Sequence, residues 1–122
     1  MLFAAVAASC GVPAMARGDD AQELARLRSE IEAISAANRR CHNVVQCRVI
    51  SMGYDACGRP TFFVPYNDIT GAGAALESKA SEYTFVEEEG QRGRPRPADC
   101  TPRERPKAVC HRNQCAAGGL ND

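Results

Sequence analysis

Apolar positions recur along this chain on two periods, and each period predicts a kind of element. From residue 20 to residue 40 the period is helical. Leu24, Leu27, Ile31 and Ile34 stand three and four apart and form one apolar stripe. Asp20 with Glu23 three residues later predicts an N-terminal capping box. Arg26 and Glu30, and Arg28 and Glu32, are opposite charges at i,i+4 on the polar side. The stripe also matches two heptads of a coiled coil with Asn38 at the next seam position, but two heptads are too few to specify one. Packing onto the protein's own sheet is the expectation, and with it a monomer.

The period then changes to that of a strand. Val44 to Met52 is rich in β-branched residues and free of Gly and Pro, so it reads as one strand. Gly53 to Pro60 reads as a turn. Thr61 to Val64 reads as a second, antiparallel strand ended by Pro65. Asn67 to Gly71 is a turn into a second helix, whose narrow stripe is Ala72, Leu76, Ala80 and Tyr83. Glu87-Glu88-Glu89 oppose the helix dipole, so the last turn is expected to fray before a C′ residue at Gly90. Residues 91–107 contain Pro95, Pro97, Pro102 and Pro106 and should be irregular, anchored by Cys100. Lys107 to Cys110, a turn at His111 to Gln114, and Cys115 to Ala117 read as a short hairpin. The order predicts an α+β fold: a small antiparallel sheet with two helices on one face. No internal repeat is present.

Composition shifts this picture toward a thin core. The chain is 44% hydrophobic, but much of that is alanine. After Ala16, Leu, Ile, Val and Phe supply only 17 of 106 residues. That is below the roughly 20% at which disorder becomes a concern when net charge is high. The net charge is zero, and seven cysteines are present. A small exported domain reinforced by disulfides is the class that fits. The 122 residues allow one domain. They exclude a doubly wound nucleotide-binding fold with a substrate domain, a barrel enzyme and a polytopic membrane protein.

Export is also written in the first residues. Residues 2–9 are apolar and uncharged, too short to span a bilayer as a helix. Ala14-Met15-Ala16 is a small-residue cleavage signal directly before polar sequence, so residues 1–16 read as a signal peptide. The usual basic residues before the apolar run are missing, which leaves open a start upstream of Met1. Ala7-Ala8-Ser9-Cys10 gives a second export reading, a lipobox with Cys10 lipidated, and only then would the mature protein touch a membrane. Either reading places the protein in the periplasm or outside the cell and removes Cys10 from the bridge count. The expected layout is a signal peptide over 1–16, an N-terminal helix over 17–40, a disulfide-stapled α+β domain over 41–117 and a flexible tail over 118–122.

Cys41, Cys47, Cys57, Cys100, Cys110 and Cys115 remain, an even set that implies three bridges. They fall in two clusters with 42 residues between them. Fifteen connectivities are open, and at least two bridges between clusters are expected. A zinc site is the rival, with His42 and His111 beside cysteines. There is no Cys-x2-Cys pair, and spacings of 5, 9, 9 and 4 residues fit no common zinc module. Neither a metal nor a cofactor is expected. The missing Cys-x-x-Cys also argues against a thioredoxin-type redox role.

From Cys41 to Cys115 the chain resembles a set of small exported bacterial proteins of uncharacterised function. Their pattern is Cys-x5-Cys, a strand, Cys-Gly-Gly-Pro followed by aromatic residues, a helix, a late cysteine and a Cys-x4-Cys hairpin. The matching residues are Cys41, Cys47, Cys57-Gly58-Arg59-Pro60, Phe62, Tyr66, Cys100, Cys110 and Cys115, across about 75 residues. Arg59 departs from the pattern, which has glycine there. The resemblance implies export and bridging and implies no activity.

No catalytic constellation is evident. Ser35 and Ser51 lack a nucleophile motif. Asp19-Asp20 and Glu87-Glu88-Glu89 read as solvated helix ends, and Gly71-Ala72-Gly73 lacks the lysine of a phosphate loop. The expectation is a non-enzymatic exported protein that binds a protein or an envelope component. Two alternatives use arginines. Arg92, Arg94, Arg96, Arg103, Arg105 and Lys107 face only Asp99 and Glu104 in sequence and suit an anionic envelope surface. Arg59, two residues after Cys57, and Arg112, between Cys110 and Cys115, suit a disulfide-braced protease-inhibitor loop. Nucleic acid is not an expected partner of an exported chain, and no aromatic residue is interleaved among these arginines for stacking.

Overall fold

The computed structural model describes residues 16–118. Apart from Ala16, the expected signal peptide with Cys10 lies outside these residues, as does the tail from 119 onward. The first element, α1 (Ala16–Ala37), begins four residues before Asp20. Asp20 is therefore inside the helix and cannot cap it, which corrects the capping-box expectation. Glu23 turns to Arg26 instead. Arg26 also reaches Glu30 at 2.9 Å, and Arg28 reaches Glu32 at 3.3 Å. The helix ends before residue 40 because Asn38 competes with it. Its Nδ2 donates to the Ile34 carbonyl at 2.8 Å, the acceptor that the next helical N–H would use.

Val44–Gln46 is a one-turn 3-10 helix, not the start of a strand. Asn43 accounts for the difference: its Oδ1 accepts from the Val45 N–H at 3.1 Å. A side chain bonding its own backbone two residues on favours a turn over β-propensity. The strand β1 (Cys47–Met52) then pairs antiparallel with β2 (Phe62–Asn67), from Cys47 opposite Asn67 to Met52 opposite Phe62. Pro65 lies inside β2 rather than ending it. Its carbonyl accepts from Ser35 Oγ at 2.7 Å. A strand residue's nitrogen and carbonyl project to the same edge, so the missing N–H costs nothing in the ladder with β1.

A second one-turn helix, Asp68–Thr70, follows β2 and leads to α2 (Ala72–Gln91). Leu76, Ala80 and Tyr83 are buried as the stripe predicts, with Gly73 beside them and Ala72 only partly covered. The helix runs through Glu87-Glu88-Glu89 and Gly90 without the expected early end. Arg92 closes it, and Gly93 takes the left-handed conformation (φ +82) assigned to Gly90. The last turn does not fray because Glu87 is engaged on the protein side, as described below.

Residues 92–107 carry no regular element. The chain ends in a hairpin, β3 (Ala108–His111) and β4 (Gln114–Ala117). Arg112 and Asn113 both have positive φ (54 and 63), the geometry of a two-residue hairpin turn. The fold is α+β, but the strands form two separate two-stranded sheets rather than one. β4 meets the rest through the Cys115 N–H to Arg39 carbonyl bond and the Arg40–Gln114 bridge, not through a ladder with β1 or β2.

The main core joins both helices to the β1–β2 pair. Leu27, Ile31, Met52, Val64, Tyr66, Leu76, Ala80 and Tyr83 are buried together. Phe62 meets Tyr83 edge to face, ring centroids 5.1 Å apart, and Arg28 lies over the Phe62 ring at 4.0 Å. α1 packs chiefly against α2. No helix among the described residues is long and apolar enough to cross a membrane.

Candidate functional site

The six cysteines expected to bridge do so among the described residues. The pairs are Cys41–Cys110, Cys47–Cys115 and Cys57–Cys100, with sequence separations of 69, 68 and 43. All three join the early cluster to the late one. Cys110 and Cys115 face each other across β3 and β4, and each is bridged to a different segment. Cys41, Cys47 and Cys115 form a small second core with Ala108 and Cys110. The sulfurs of Cys41, Cys47 and Cys115 lie within 4.8 Å of one another. Each is bridged, so none is a thiolate of the kind a metal takes.

The loop over 53–60 is organised by Asp55. Its Oδ1 accepts from the backbone N–H groups of Cys57 and Arg59, each at 2.9 Å, and its Oδ2 accepts from Arg59 Nε at 3.0 Å. Burial pushes this carboxyl up, but those donors and the guanidinium charge outweigh it and hold Asp55 below the ordinary carboxylate range. Arg59 also donates from Nη1 to the Thr101 carbonyl at 3.1 Å. Arg59, singled out as an inhibitor residue, thus ties its own loop to the segment beyond Cys100. Arg103 adds a bond to the Pro60 carbonyl at 3.0 Å.

Glu87 closes the other side of this loop. Its Oε1 accepts from the Tyr54 N–H and from Thr61 Oγ1, each at 2.8 Å. Thr84 Oγ1 accepts from the Gly53 N–H at 2.9 Å. Gly53 has φ +98, and a Cβ there would sit 1.7 Å from Thr61 Oγ1 and 2.6 Å from Glu87 Oε1. Only glycine fits. A cleft of about 310 Å³ opens beside this latch, lined by Asp20, Leu24, Tyr54, Glu87 and Arg94 among others. Sequence reasoning missed Glu87 because its partners are 26 and 33 residues away. It reads locally as one of three solvated acids.

The remaining arginines are separated. Arg92 is exposed and pairs with Glu89 at 2.7 Å. Arg94 borders the cleft, and Arg96 is exposed further along the loop. Arg112 is exposed at the tip of the β3–β4 turn. Arg103 is the arginine of the 92–107 segment that lies beside Arg59, through its bond to the Pro60 carbonyl. His42 and His111 are both exposed, and neither imidazole takes part in a hydrogen bond or ion pair among the described residues.

The molecule is a small disulfide-stapled α+β protein, an architecture that suits a structural or binding role. No protein-family model, curated protein or solved structure matches the chain. Three bridges belong to an oxidising environment.

Proposed function

We propose that this is an exported, non-enzymatic binding protein, periplasmic or secreted, whose recognition surface is the arginine-bearing segment after α2. One observation carries the reading. Residues 92–107 have no secondary structure, yet they are tied at one end to α2, where Arg92 pairs with Glu89, and at 100–103 to the 53–60 loop by the Cys57–Cys100 bridge and two hydrogen bonds. An irregular segment fixed in this way loses little entropy when a partner docks, which favours affinity. Arg92, Arg94 and Arg96 then present cationic groups suited to an acidic partner. The exposure of both histidines supports a non-enzymatic role. The resemblance to small exported bacterial proteins supports export.

The test is capture from envelope extract by the oxidised protein. One retained protein species, lost when Arg92, Arg94 and Arg96 become alanine, supports the reading. Retention of anionic polymers alone replaces it with general binding to anionic surfaces. Unchanged capture by the triple variant removes this segment as the surface. The inhibitor alternative receives less support, since the Arg59 side chain is bound to Asp55 and Thr101.

A further inference from the structure

The open end of the β1–β2 hairpin carries an unusual surface. Four large apolar residues are exposed among those described: Val44 (52%), Val45 (72%), Ile69 (68%) and Phe85 (61%). Three of them belong to the two one-turn helices. Cys47 pairs with Asn67, so the turn before β1 and the turn after β2 emerge side by side at the open end of the hairpin. Arg48 joins them. Its Nη1 donates to the Val45 carbonyl at 3.0 Å, and its Nε lies 3.9 Å from Asp68. Both turns are fixed by the same device, an asparagine whose Oδ1 accepts the N–H two residues on: Asn43 to Val45, and Asn67 to Ile69 at 2.7 Å. Val44, Val45 and Ile69 are thus a preformed apolar tip.

Bases outnumber acids around the tip, where Asp68 and, across Tyr66, Glu77 are the acidic groups. Within 40–48, 67–71 and 110–115 the bases are Arg40, Arg48 and Arg112, all exposed, and the single acid is Asp68, beside Arg48. The β3–β4 turn belongs to the same end, because Cys41 N–H donates to the Asn113 carbonyl and Cys47 bridges Cys115. Phe85 differs: it borders a groove with Glu23 and Glu82. Arg94 sits beside Tyr54, beyond the other end of the six-residue β1, about 20 Å away along the strand.

We infer that this tip docks on a lipid bilayer containing anionic phospholipid. Val44, Val45 and Ile69 enter the headgroup boundary, and Arg40, Arg48 and Arg112 meet the phosphates. Aliphatic side chains beside arginines are the composition of an interfacial anchor. None of the clefts described above reaches the three apolar residues. The inference goes beyond the proposed recognition segment and does not depend on it.

The test uses the oxidised full chain with vesicles of equal parts phosphatidylglycerol and phosphatidylcholine, doped with a spin-labelled lipid, and reads methyl NMR signals. The Val44, Val45 and Ile69 methyls should be attenuated several-fold more than those of Leu76 and Val86, and much less with phosphatidylcholine alone. Val45→Asp with Ile69→Asp should reduce vesicle affinity about tenfold or more, because a carboxylate is costly at an apolar, anionic boundary. Both positions are exposed, so the bridges and near-ultraviolet circular dichroism should be unchanged; Val45→Ala with Ile69→Ala gives a smaller loss in the same direction. Attenuation centred on Ala98 in the 92–107 segment, uniform attenuation, or a tip that is shielded only by a captured acidic protein would overturn the inference. Each of those results leaves the envelope-capture test of the other segment to be decided by itself.

Discussion

The two halves of this molecule are held by different physics. The helical half buries Leu27, Ile31, Leu76 and Tyr83 against Met52, Val64 and Tyr66. The β3–β4 half has for its core Cys41, Cys47 and Cys115, with Ala108 and Cys110 beside them. One half is stabilised by apolar area removed from water, and the other by covalent restriction of the unfolded chain. A four-residue strand pair cannot be independently stable in water. The bridges therefore substitute for a core that the hairpin is too small to form.

This contrast is broken most completely by reduction. Each bridge is worth roughly 2–4 kcal/mol. Reducing all three should abolish amide-exchange protection in β3 and β4 while protection persists longest around Leu76 and Tyr83. Equal loss in both halves would show that the core does not stand apart. Removing one bridge at a time sharpens the point. Cys41–Cys110 and Cys57–Cys100 close spans of 69 and 43 residues, a difference worth only about 0.4 kcal/mol on chain entropy. A much larger measured gap would mean that native packing around the bridges matters more than loop length.

On the apolar side, Leu76→Ala should cost roughly 2–5 kcal/mol in denaturant unfolding, because Leu76 is fully buried. It should leave the three bridges able to form. Gly53→Ala attacks the latch between the 53–60 loop and α2. The positive φ alone costs about 1–3 kcal/mol, and the clash with Thr61 and Glu87 adds to it. Hydrogen exchange at Tyr54 should rise with it.

A smaller effect is expected from Asp55→Asn, about 1–2 kcal/mol, through the lost charge-assisted bonds in the 53–60 loop. The pH dependence follows from the direction of its shift. Asp55 is held below its ordinary value when folded, so its contribution is present above the unfolded pKa of about 4. It is lost as pH falls through the lower folded value. Stability of the wild type should therefore drop on acidification below about pH 4 more than that of Asp55→Asn. Identical acid limbs would remove Asp55 as the organiser of that loop.

Sequence periodicity exposed the buried stripes because they repeat locally. Leu27 and Ile31 on α1, and Leu76, Ala80 and Tyr83 on α2, are the core positions the spacing selects. What it missed was decided by competition or by distance. Val44 and Val45 have strand propensity, but the Asn43 side chain captures a backbone N–H first. Pro65 looks like a strand end unless the edge it faces is known. The acidic run makes Gly90 the expected end of α2, and the long-range bonds to Glu87 carry the helix on so that Gly93 takes that role. The single-sheet expectation failed because alternation marks a strand's face and not its neighbour. Arg59 drew notice for its place between Cys57 and Pro60, while its role is set by Asp55, four residues earlier. That Asp-x3-Arg spacing around a Cys-Gly turn was a readable signal.

The topology of the bridges also bears on how the chain matures. Every native pair joins residues 41–57 to residues 100–115. A chain that emerges N-terminus first exposes the thiols of Cys41, Cys47 and Cys57 before any correct partner has appeared. Cys41, Cys47 and Cys57 are then each other's nearest oxidation partners, and loops this short close readily. Non-native cross-links are the kinetic product, and they must be exchanged once the late cysteines arrive. Production of this protein should therefore be limited by disulfide isomerase capacity rather than by oxidant.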